Sequence, residues 1–140
     1  PKVKWRIAAL LSLREFGYKD AAEAVMRLSR DPSPKVRHVA VQALGQIGAG
    51  KHVPPEGIDA IAPVAERMRE RIVEALLVAL DGDEIQSIRT KAVRALAEIG
   101  SARAVKPIGK LARGGSDEDR QEARRALDKL QPRKIGQERE

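Results

Sequence analysis

The sequence predicts an all-α fold of stacked helix–turn–helix units, and three observations lead to it. The 140 residues include only one Trp, one Tyr and one Phe, set against 21 Ala counted along the chain. Large aromatics and aliphatics supply most of the buried area of an ordinary core, whereas Ala lets backbones approach and has the highest helix propensity. Thin helical layers are therefore favoured over sheets. The third observation is an internal repeat, which decides the architecture before any single element is assigned.

Three segments align without gaps: WRIAALLSLREFG from Trp5, VRHVAVQALGQIG from Val36 and IRTKAVRALAEIG from Ile88. Each places a basic residue (Arg6, Arg37, Arg89) before Ala at plus three (Ala9, Ala40, Ala92). Leu follows at plus seven (Leu13, Leu44, Leu96), a large apolar residue at plus ten (Phe16, Ile47, Ile99) and Gly at plus eleven (Gly17, Gly48, Gly100). Such spacing traces one face of a helix, and the Gly is expected as a left-handed C-terminal cap. A fourth, weaker copy begins at Asp119 with Ala123, Leu127 and Leu130 in place, and Gln131 where Gly would stand.

The basic anchors Arg6 and Arg37 are 31 residues apart, as are Arg89 and Arg120, whereas 52 residues separate Arg37 and Arg89. A second helix fits each period: Ala21, Val25 and Leu28 in the first unit, Val73, Leu77 and Leu80 in the second, Ala104, Ile108 and Leu111 in the third. One domain over 1–130 results. Its units cover about 3–30, 31–80 with an insertion at 49–72, and 81–113, followed by a capping helix at 116–130 and a frayed tail at 131–140.

The insertion holds the 21 extra residues of the second period, 52 minus 31. Ala49–Gly57, with Pro54 and Pro55, reads as a loop. From Ile58 onward, Ile61, Ala65, Met68, Ile72, Leu76 and Leu80 keep helical spacing, so a long second helix starting near Pro63, or earlier with a kink there, is expected. In the last copy Ser116 is placed as N-cap, with Asp117, Glu118 and Asp119 favourable to the helix dipole.

Asp in the turn, Val or Ile followed by Arg, then Ala and ALGxIG: this pattern, clearest at Asp31 with VRHVAVQALGQIG and at Asp83 with IRTKAVRALAEIG, resembles HEAT repeats. The likeness is to the short bacterial and archaeal type noted in phycobilin lyases. It implies a right-handed α-α superhelix of about three and a half repeats, first helices on the convex side and second helices lining the concave side. The family includes scaffolds, DNA-binding proteins and enzyme subunits, so fold alone does not name the function.

Arg6, Asp31, Arg37, Asp83 and Arg89 are expected to form a structural ladder, because a guanidinium fork can bridge turn carbonyls and carboxylates of neighbouring units. Catalysis is not expected. Only His38 and His52 are present, neither followed by Glu, and there is no Cys. Cofactor and metal sites are therefore not expected, and the paired His-Glu set of the deoxyhypusine hydroxylases does not carry over. The acidic clusters Asp81, Asp83, Glu84 and Asp117–Asp119 are read as helix starts.

The net charge of +7 divides into +5 over residues 1–50 (nine basic, four acidic), −2 over 51–100 (seven, nine) and +4 over 101–140 (eleven, seven). Arg27 aligns with Lys110 and Arg30 with Arg113, with Lys106 one turn earlier, so these five form the candidate binding surface. The expected function is a non-enzymatic protein-interaction scaffold using the concave face. A nucleic-acid-binding solenoid is the alternative, since such a basic face attracts phosphate; a subunit or appended domain of a chromophore lyase or peptidase is a weaker one. Trp5, Phe16 and Tyr18 crowd the N-terminal edge, where self-association or a preceding domain is expected. No stretch suits a membrane span, and the lack of Cys fits a reducing, cytoplasmic setting.

Overall fold

The computed structural model describes residues 2–16, 19–50 and 66–131, with side chains for 2–12, 21–50 and 66–131. Seven α-helices and no strand form among these residues: α1 Val3–Phe16, α2 Lys19–Leu28, α3 Pro34–Gly48, α4 Glu66–Gly82, α5 Gln86–Ile99, α6 Val105–Gly114 and α7 Asp117–Leu130. A short 3-10 turn, Ala102–Ala104, leads into α6. Gly17, Tyr18, His52 and the stretch 51–65, including Pro54, Pro55 and Pro63, lie outside the described residues, as does 132–140.

Local sequence sets the starts of α3, α5 and α7. Pro34 opens α3, where its missing N–H costs nothing and its fixed φ is already helical. Ahead of it Asp31 accepts the Ser33 N–H at 2.8 Å, and ahead of α5 Asp83 accepts the Ile85 N–H at 3.0 Å. The same aspartyl turn thus launches two helices. At α7 the device changes to a capping box: Ser116 Oγ accepts from Asp119 N–H, and the Asp119 carboxylate accepts from Ser116 N–H.

Packing gives two layers and establishes an α-helical repeat solenoid. The first helices α1, α3, α5 and α7 pack in sequence, the second helices α2, α4 and α6 pack in sequence, and each second helix also rests on the first helix of the next unit. One continuous core runs between the layers through Leu10, Val25, Leu44, Ile72, Leu76, Ile88, Leu96 and Ile108, all fully buried. Each such side chain contributes about 1.5–3 kcal/mol relative to exposure.

Two glycines set the spacing of α3 and α5. A Cβ on Gly45 would stand 2.6 Å from Ala95 Cβ, and one on Gly48 would stand 2.6 Å from Ile99 Cδ1 and 3.2 Å from Ile72 Cγ2. Gly48 therefore differs from its expected role. It is the last residue of α3 and a close-packing position, and the left-handed residue comes two places later at Gly50, with φ 67°. Gly100, at φ 78°, is the left-handed cap of α5.

Residues 66–72, given above both to the insertion and to the long second helix, form the first turns of α4, where Met68 and Ile72 are buried in the core. Asp81 departs from expectation: it lies in the last turn of α4 rather than at a helix start.

Candidate binding surface

Along one edge of the solenoid, at the turns that join one unit to the next, arginines and aspartates alternate. The Arg6 fork grips Asp31 through Nε–Oδ2 at 2.8 Å and Nη2–Oδ1 at 2.9 Å. Arg37 Nη1 donates to the Asp31 carbonyl at 2.9 Å, while its Nε reaches Asp83 Oδ2 at 2.8 Å. Arg89 repeats the pattern, donating to the Asp83 carbonyl at 3.0 Å and to Asp119 Oδ2 at 3.0 Å. Each aspartate thus gives its carboxylate to the preceding unit's arginine and, at Asp31 and Asp83, its carbonyl to its own. The carboxylates are almost fully buried and the guanidinium groups partly so. The arginine forks of the ladder are thus engaged between neighbouring units, although Asp119 Oδ1 at its last rung is buried without a hydrogen-bond partner among the described residues.

The second-helix layer offers open space instead. A groove of about 760 Å³ runs between α4 and α6, with Leu77, Val78, Pro107 and Leu111 among its apolar walls and Lys106 and Lys110 beside them. Val78 is 43% exposed, a large apolar side chain left to solvent. On the other side of Val78 a second hollow of about 520 Å³ is lined by Ser29, Arg30, Ala79 and Ile85. Val78 stands on the shared rim.

Ion pairs divide the charges of this layer. Arg103 spans Glu70 and Glu74, and Arg71 meets Glu23 at 2.8 Å, so these carboxylates of α2 and α4 are engaged. Arg27, Arg30, Lys106, Lys110 and Arg113 are exposed and make no ion pair or side-chain hydrogen bond among the described residues. Of the five, Lys106 and Lys110 line the main groove and Arg30 the second hollow. Arg27 and Arg113 line neither. Asp81 is the carboxylate at the groove without an ion pair among the described residues.

A family model described as HEAT repeats matches residues 1–69 and again 56–128. The chain belongs to the HEAT-repeat family. No curated protein matches the chain. In this HEAT chain no group of three or more His, Asp or Glu converges as metal ligands among the described residues. His38 lies on the α3 side of a shallow apolar dent with Ile7, Pro34 and Ile85, where burial, and then the nearby Lys91 charge, push its pKa below the usual value. No helix among the described residues is long and apolar enough to cross a membrane.

The N-terminal edge of the HEAT stack is partly described. Trp5 is 61% exposed and Leu11 40% exposed, with Lys4 Nζ over the indole at 5.3 Å; the Phe16 side chain and Tyr18 lie outside the described residues. The positions equivalent to Trp5 are Val36 and Ile88, both fully buried, and those equivalent to Ala9 are Ala40 and Ala92, also fully buried. Ala9 itself is exposed. On α1 these positions have no first helix in front of them among the described residues.

Sequence reasoning missed Asp119 as the terminal ladder carboxylate. It stands directly before Arg120 instead of six residues ahead, because the capping box brings it to the same place from inside a helix. The signal was the S-x-x-D spacing of Ser116 and Asp119. The Arg94–Glu122 fork, at 2.7 and 3.1 Å between α5 and α7, was also missed.

Proposed function

We propose that this HEAT-repeat chain is a non-enzymatic interaction module whose second-helix layer, concave in the family geometry, receives a segment of a partner protein. The observation that carries this reading is the groove between α4 and α6, open, apolar-walled and rimmed by an exposed Val78. Exposed apolar surface in a concave setting is costly to leave bare and is a usual mark of a contact site. Within the family we place the repeats with the short bacterial and archaeal type, on the ALGQIG and ALAEIG segments, and the protein in the cytoplasm. We include the insertion expected at 49–72, of which 51–65 lie outside the described residues and 66–72 belong to α4, as a further edge of the binding surface.

The test is a selection of peptides from a random displayed library on the intact protein. Enriched peptides should lose binding to the Val78→Asp variant and keep it for Arg124→Glu on α7. Enrichment indifferent to Val78→Asp would remove the second-helix layer as the binding surface. The five unpaired cations favour a second reading, nucleic-acid binding. Its signature is duplex affinity that falls steeply as salt rises.

A further inference from the structure

The groove and its surroundings carry an unbalanced charge pattern. Arg103 pairs with Glu70 and Glu74 and Arg71 with Glu23, so each of these acids, including Glu74 on the groove wall, already has a cation beside it. Left over are Lys106 and Lys110 on the groove wall against Asp81, and beyond Val78 Arg30 against Glu84, so the groove itself keeps a surplus of positive charge. Lys106 and Lys110 are four residues apart on α6, hence about 6 Å along its axis and on one face. Leu77, Val78, Pro107 and Leu111 line the same groove as Lys106 and Lys110. A ligand that satisfies both halves must bring negative charge and large apolar side chains together.

We propose that the α4–α6 groove takes an acidic peptide segment carrying large apolar side chains, an inference that rests on reading the second-helix layer as a protein-binding surface. Carboxylates of the segment pair with Lys106 and Lys110, and its apolar groups cover Val78 and Leu111. A phosphate backbone fits the cations but leaves the apolar wall against charged, hydrated groups, and no Trp, Tyr or Phe of the groove is present for base stacking. Electrostatic attraction sets the rate of encounter and the apolar contact sets the lifetime.

Fluorescence anisotropy on the intact chain tests it with three labelled probes. These are a peptide of Glu, Leu and Ala, the same peptide with every Leu changed to Ser, and a DNA duplex. The Leu peptide should bind best and weaken about tenfold or more, the scale of a central contact, in Lys106→Glu/Lys110→Glu and in Val78→Asp. Arg124→Glu/Arg125→Glu, which changes net charge equally on α7, should leave binding unchanged; circular dichroism confirms that each variant is folded. Equal binding of the Leu and Ser peptides, tighter binding of the duplex, or no response to the Lys pair overturns the proposal. Library selection separates the two levels: peptides that depend on Val78 but carry no acidic residues sink the chemistry and spare the surface, whereas none at the groove sinks both.

Discussion

Arg37 and Asp83 stand 46 residues apart in sequence, yet Nε and Oδ2 meet at 2.8 Å and the carboxylate is almost fully buried. The pair joins α3 to the turn after α4, and Asp83 also holds the Ile85 N–H. Replacing Asp83 with Ala leaves a partly buried guanidinium without its carboxylate and a helix start without its acceptor. The expected loss is about 2–3 kcal/mol, since removing one partner of a buried pair costs more than the pair contributes. Urea unfolding of D83A measures it, and a loss under half a kcal/mol contradicts the ladder's part in stability.

Three glycines should answer differently to Ala. At Gly45 the added methyl meets Ala95 Cβ at 2.6 Å and its Cα at 3.0 Å, backbone that cannot step aside; overpacking of this kind costs about 1–3 kcal/mol. Gly100 has open space but a φ of 78°, so its cost is strain, about 1–2 kcal/mol. Gly82 has neither obstacle, and Gly82→Ala should stabilise by about 0.4–1 kcal/mol through the unfolded chain. The ranking of the three melting temperatures is the readout.

Trp5 and Ile88 occupy the same repeat position with opposite burial. Ile88→Ala should cost about 2–5 kcal/mol, the usual loss for a buried aliphatic. Trp5→Ala removes a larger side chain yet should cost under about 1 kcal/mol, because most of its surface is already in water. A Trp5→Ala loss as large as that of Ile88→Ala would show that the indole is covered in solution.

Stability should fall in two acid steps. The imidazole of His38 is held below its ordinary pKa by burial and then by Lys91. The unfolded chain therefore takes up that proton first, and stability present above about pH 6.5 declines as pH falls toward the folded-state value. Asp31 is held below the usual carboxylate range chiefly by the Arg6 hydrogen bond and further by Ser33 N–H, against burial, which pushes it up. Its contribution is intact above about pH 4 and is lost as pH drops through the folded value. Unfolding free energy measured against pH should lose the upper step in His38→Gln and the lower one in Asp31→Asn. Superimposed wild-type and His38→Gln profiles between pH 7 and 5 would contradict the first.

Periodicity made the first helices legible, because α3 and α5 repeat the same apolar positions and these pack the same way. It misled at Gly48. The letter matches Gly100, but Ile99 and Ile72 press against α3 there, so tertiary packing decides the role of the residue and local capping does not. Asp119 escaped for the converse reason, since a different local device delivers a carboxylate to an equivalent place. The groove was only half legible. Its cations stood out as columns, but which of them stay unpaired depends on Arg103 reaching Glu70 and Glu74, contacts 33 and 29 residues away in the chain that no spacing rule reports.

The ladder occupies only the turns that lead from one unit into the next, whereas the long break between α3 and α4 falls inside a unit, at the other edge. The two edges therefore obey different rules. One is a ratchet in which each rung fits only its neighbour, so loss or gain of a residue there would misalign every later Arg and Asp. The other is free to change length at small cost, since closing a longer loop adds only about 0.6 kcal/mol per doubling. A change of length inside a unit is then cheaper than one between units, because it leaves the register of the stack untouched.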